Sequence, residues 1–163
     1  MKKSNSKELF KTGIKLLKEK KFVDALDSIK IAIEKGGYEN VDEIPPTYLS
    51  YLGLITALAE KRYRYGATIC EKAIKKEFFN PVFYLNLGKV YAAGGYKLKA
   101  IDAFNKGLKM DGNHDEIMDE LKKMGLRRKP VVPFLTRTHA LNKHLGLLLR
   151  GPKLTKTLGV RSM

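Results

Sequence analysis

Between Tyr84 and Gly107 the chain reads YLNLGKVYAAGGYKLKAIDAFNKG, with large and small residues recurring at helical spacing. Tyr84, Leu87, Gly88 and Tyr91 fall on one face of a helix. After the break at Gly94-Gly95, Ala100, Phe104 and Gly107 form a second stripe. The pattern predicts two amphipathic helices joined by a glycine turn. Small residues at Gly88, Ala100 and Gly107 suit a close helix pair, because larger side chains would push the axes apart.

The same pattern occurs three times. Gly13, Ala25 and Ala32 are separated by 12 and 7 residues, as are Gly88, Ala100 and Gly107. Gly53, Gly66 and Ala73 have 13 in the first gap, which predicts one residue added at the turn near AEKRYRY. Leu9, Leu16, Leu49 and Leu52 supply large partners in the earlier copies. Repeats of this length bury their apolar faces against one another, so the chain reads as a stacked array.

The punctuation agrees. Gly36-Gly37 ends one helix, and Pro45-Pro46 and Asn80-Pro81 start two others. GNHDEIMDELKKMG then predicts an end helix capped by Asn113, with Asp115 and Glu116 in its first turn and Lys122 and Lys123 in its last. Such a helix would cover the open end of the stack.

Tyr84-x-x-Leu87-Gly88-x-x-Tyr91 followed by Ala100-x-x-x-Phe104 resembles the tetratricopeptide repeat family, whose unit is about 34 residues. Gly112 stands where that family's closing proline is usual, Cys70 replaces a large apolar residue, and Thr56 a tyrosine. The resemblance runs over about residues 6–113 and is to small proteins of bacterial type with a basic tail. It implies an all-α fold: three helix-turn-helix repeats and a capping helix, forming a short right-handed solenoid with a concave groove. The repeats would span about 6–39, 46–80 and 81–113, with the end helix at 114–124, in a domain of residues 1–124.

In that family the first helix of each pair lines a groove that accepts a peptide or a partner helix. The resemblance therefore implies partner-binding positions at Phe10, Ile14 and Leu17 in the first repeat. Ser50, Leu54, Ala57 and Leu58 follow from the second, and Leu85, Lys89, Ala92 and Ala93 from the third. Chaperone-binding relatives grip a C-terminal carboxylate with cationic and amide side chains. Phe10, Ile14 and Leu85 occupy three of those places here, with Lys89 at the fourth, so that clamp is missing. A mainly apolar groove suits an aliphatic or aromatic segment.

Charge adds a second component. Lys and Arg outnumber Asp and Glu by 32 to 17 over 163 residues, a net charge of +15. Residues 125–163 hold nine of the basic residues and no acidic one. Within this tail, KPVVPFL is extended by its two prolines, and THALNKHLGLLLR is a short basic amphipathic segment. Val131, Phe134, Leu135, Leu141, Leu145 and Leu148 are more apolar than a solvated tail needs, so they read as docking side chains.

The candidate chemistry is sparse. His139 and His144 do not stack on one helical face, and no cysteine or carboxylate lies near them, so no metal site is expected. Cys70, the single cysteine, sits in a core stripe with no adjacent base and reads as a structural thiol in a reducing compartment. No nucleophile, base and oxyanion donor come together. The chain is expected to be neither an enzyme nor a cofactor binder. With no secretory h-region and no apolar run approaching ~18 residues, the expected location is the cytoplasm. The expected function is a protein-interaction adaptor, with the tail as a second docking element. The alternative is a nucleic-acid- or ribosome-associated protein acting through the basic tail, and a membrane surface ranks below both.

Overall fold

Proline, asparagine and glycine set the helix boundaries. In a computed structural model, which describes residues 2–125, seven helices follow one another and no strand occurs among the described residues. They are α1 (Lys2–Lys18), α2 (Phe22–Gly36), α3 (Pro46–Glu60), α4 (Tyr63–Lys76), α5 (Pro81–Ala93), α6 (Lys97–Met110) and α7 (Asp115–Lys123). Pro46 and Pro81 occupy first-turn positions, where an absent N–H breaks no helical bond. The Asn80 side chain accepts from the Val82 N–H at 3.1 Å, capping α5. Gly37 closes α2 with a left-handed φ of 69°.

Two local expectations are corrected. His114, not Asn113, takes the position before α7, and its side chain makes no capping bond. The Asn113 N–H is instead held by the Asp111 carboxylate at 3.1 Å, in a turn that delays the helix. The residue added in the second repeat lies in helix rather than in the turn. α3 continues to Glu60, whereas α1 and α5 stop at Lys18 and Ala93, earlier in their repeats. The run Leu-Ile-Thr-Ala-Leu-Ala-Glu is rich in helix formers, so the extra residue extends the ladder.

Each helix hairpin turns through one left-handed residue: Lys20 (φ 61°), Lys61 (φ 56°) and Gly95 (φ 78°). Lysine in this region crowds its Cβ against the next carbonyl; glycine does not. Lys61→Gly is therefore expected to raise stability by about 1 kcal/mol, read as a higher urea midpoint with an unchanged slope.

Paired helices touch through the small residues. The three hairpins α1–α2, α3–α4 and α5–α6 then stack, with α3 packed on both α2 and α5. Phe83, Phe104, Ile29, Leu49, Ile55 and Val90 are fully buried between them. Asn86 on α5 donates to the Ser50 hydroxyl on α3 at 3.0 Å, a buried polar pin joining the second and third repeats. Ile117 of α7 is fully buried over Gly107, so the end helix closes the array. α3 and α5 touch while α4 and α6 do not, which makes the face of α1, α3 and α5 the concave one. No described helix is long and apolar enough to cross a membrane.

Candidate binding groove

The concave face is built from α1, α3 and α5, and the eleven groove positions divide into two sets. Ile14, Leu17, Leu58, Lys89 and Ala92 are half-buried, and Ala93 is exposed. Phe10, Ser50, Leu54, Ala57 and Leu85 are buried. For those five, the expectation of a side chain open to a partner is corrected to a place in the packing.

The reasons are specific. Phe10 stacks on Tyr48 with ring centroids 3.9 Å apart, and Tyr51 meets its edge at 5.7 Å. Ser50 holds Asn86 through its hydroxyl and receives the Cys70 thiol on its carbonyl at 3.4 Å. Leu54 and Ala57 cluster with Cys70, Leu87 and Val90. Leu85 joins Phe104 and Ile117, because α7 folds back over the end of α5. Lys89, the cation among these positions, lies 3.8 Å from Glu116 of α7. The accessible lining is thus aliphatic, with one cation already paired.

Tyr51 is a part-buried groove residue that repeat spacing did not assign to partner binding. Its aromatic contact with Phe10 across two repeats is the signal, and it appears only in three dimensions. Burial raises its phenol above the ordinary tyrosine value, with the Glu116 carboxylate adding to the shift. The docking positions Val131, Phe134, Leu135, Leu141, Leu145 and Leu148 lie outside the described residues.

A second concavity lies between α4 and α6, over α5, with a volume of about 510 Å³. Ile74, Tyr84 and Leu87 contribute apolar surface, and Glu71, Lys99 and Asp102 bring both signs of charge. Tyr91 bridges it, donating its hydroxyl to Glu71 at 2.7 Å. Burial first, then this bond to a carboxylate, pushes the Tyr91 phenol up to about 12. Its folded value exceeds its unfolded one, so the tether's contribution is complete below about pH 10 and falls as the pH rises towards 12. Tyr91→Phe is expected to flatten that part of an alkaline melting profile.

Cys70 is fully buried, and burial drives its thiol well above the ordinary range. A thiol held neutral in this way is a poor nucleophile. Among the described residues no cluster of side chains could hold a metal ion.

No protein-family model matches the sequence, and no curated protein sequence matches it. Solved structures do. The Sgt2 tetratricopeptide repeat domain from Aspergillus fumigatus superposes with a TM-score of 0.58 at 20% identity, over 74% of this chain and 76% of that one. The first such domain of Spaghetti (RPAP3), bound to the HSP90 peptide SRMEEVD, gives 0.56 at 18% identity, over 75% and 91%. The hairpin order, the small residues between paired helices and these superpositions agree: the chain has the fold of a tetratricopeptide repeat solenoid.

Proposed function

We propose that this chain is a cytoplasmic protein-interaction adaptor that holds an apolar segment of a partner along α1, α3 and α5. The observation that carries the reading is the accessible, aliphatic lining of the concave face: Ile14, Leu17, Leu58 and Ala92. A solvent-facing apolar stripe on a concave helical surface is suited to an aliphatic or aromatic peptide face. The Spaghetti domain is bound to the peptide SRMEEVD, which ends in Glu-Glu-Val-Asp. This chain sets Phe10, Ile14 and Leu85 where a carboxylate clamp needs cations or amides, and its Lys89 is occupied by Glu116. An apolar ligand follows from that difference. In this reading residues 1–124 form the groove-bearing domain and the basic tail, residues 125–163, is a second docking element. The protein is a binder rather than a catalyst.

Capture from native lysate by the full chain tests the reading, with Ile14→Glu plus Ala93→Glu as the comparison. Ala93 is exposed and Ile14 half-buried against the first core cluster, so the variant is expected to lose about 1–2 kcal/mol of stability and to stay folded. It is expected to lose the captured protein. Capture undiminished by the double substitution would move the binding site off this face.

A further inference from the structure

The solenoid sorts charge between its two edges. The hairpin turns 18–24, 60–65 and 94–99 lie along one edge, because α1, α3 and α5 run parallel and end there. They are contiguous: the first shares a cleft with Leu58 and Ala59 at the end of α3, and the third is packed on Tyr63 at Gly94. Lys18, Lys20 and Lys21 are exposed in the first turn. Lys61, Arg62 and Arg64 are exposed in the second, and Lys97 and Lys99 in the third. Against these eight cations stand Glu19, Asp24 and Glu60. The opposite edge, formed by 36–45, 77–80 and 111–116, carries seven carboxylates, and the Lys76 ammonium reaches into it to the Asp42 and Ile44 carbonyls.

Each basic turn also presents one large apolar side chain to solvent. Val23 is 63% exposed, Tyr65 49% and Leu98 83%. They sit in the first turns of α2, α4 and α6: Val23 and Leu98 hold the same register position, two before Ala25 and Ala100, and Tyr65 stands one before Gly66. Two of the cations occupy costly backbone: Lys20 and Lys61 adopt the left-handed conformation that Gly95 takes without strain in the third turn. Strain of this kind points to function when a less strained residue is available.

We infer that this edge docks on an anionic lipid bilayer, with the cations at the headgroups and Val23, Tyr65 and Leu98 entering the interface. Phosphate contacts alone would account for the cations but not for the aliphatic side chains. A single-stranded nucleic acid would call for aromatic platforms, and Val23 and Leu98 have no π-face to stack on a base. Basic residues flanking exposed aliphatic and tyrosine side chains match a bilayer interface instead. The acidic opposite edge then faces away from the surface.

The test uses the full chain with vesicles of phosphatidylcholine containing about one third phosphatidylserine, against phosphatidylcholine alone. Each basic residue near an anionic surface contributes roughly fivefold in affinity. Reversing Lys61, Arg64, Lys97 and Lys99 to Glu is expected to weaken co-sedimentation at least about a hundredfold. The same change in net charge on the outer helices, at Lys72, Lys75, Lys106 and Lys109, is expected to weaken it far less. Equal losses in the two sets would overturn the assignment, leaving only bulk charge or the basic tail as the cause. The chain has no tryptophan, so Leu98→Trp supplies a unique reporter at the most exposed large apolar side chain among the described residues. Its emission is expected to shift to the blue on the anionic vesicles; an unshifted spectrum on bound protein overturns insertion. Binding to a single-stranded RNA oligonucleotide that depends on the same edge, without vesicle binding, would make nucleic acid the occupant and also overturn the proposal.

Discussion

Gly53→Ala is expected to lower stability by about 3 kcal/mol, a loss that shows as a fall in melting midpoint of roughly 10 °C. A Cβ at Gly53 would stand 2.6 Å from the Gly66 carbonyl oxygen and 2.9 Å from the Cys70 nitrogen. Both are backbone atoms of the facing helix, so no side-chain rotation relieves the overlap. α3 and α4 must separate, and Leu54, Ala57 and Cys70 lose packing together. Alanine's better helix propensity returns roughly 0.5–1 kcal/mol and does not offset this. Gly88→Ala meets the fully buried Phe104 ring rather than backbone, so the ring must give within its packing, and the cost is expected to be smaller than at Gly53. Gly112→Ala, whose nearest neighbour would be 3.8 Å away, is expected to be near neutral. A calorimetric series in the order Gly53, Gly88, Gly112 checks the ranking. Equal behaviour in all three would remove close helix approach as the reason for the small residues.

Leu54→Glu and Leu85→Glu are each expected to destabilise the fold by about 4 kcal/mol or more, far beyond any effect on a surface contact. Both leucines are 2% exposed. The Leu54 cluster is Ala57, Ala67, Cys70, Leu87, Val90 and Ala103, apolar side chains among which a carboxylate loses its hydration. Burial favours the neutral acid and raises the pKa of the introduced group in the folded state. The penalty is therefore smallest below the unfolded value near pH 4 and grows as the pH rises through it. Urea midpoints at about pH 4 and pH 7 check this, and a pH-independent loss would mean that volume rather than charge causes it. Ile14→Glu, at a half-buried position of the same face, provides the contrast. The three substitutions separate what the groove shows from what it conceals.

Three repeats, their hairpin order and the closing helix were legible because each rests on local pattern. Gly88 with Ala100 and Gly107 can be read at fixed spacing, and Pro46, Pro81 and Gly37 act within a turn of where they stand. Which half of the groove stays open was not legible. Repeat register places Phe10, Ser50 and Leu85 on the inner helices, but their burial depends on Tyr48, Asn86 and Ile117, which come from other repeats or from the end helix. The Asn113 and inserted-residue corrections are smaller cases, where a competing hydrogen bond and a helix-forming run decided the boundary.

By itself, then, the sequence determined the helices and the way they pair, since helical periodicity and small-residue spacing are properties of neighbours along the chain. It also determined the excess of positive charge. Only the tertiary structure decided where the charge outside the tail gathers. Lys20, Lys61 and Lys97 are separated by dozens of positions, and acidic loops lie between them. Parallel stacking of α1, α3 and α5 gathers the basic turns on one edge and the acidic loops on the other. The inner leucines were decided in the same way: burial is a matter of what lies across the interface, and linear order does not carry it.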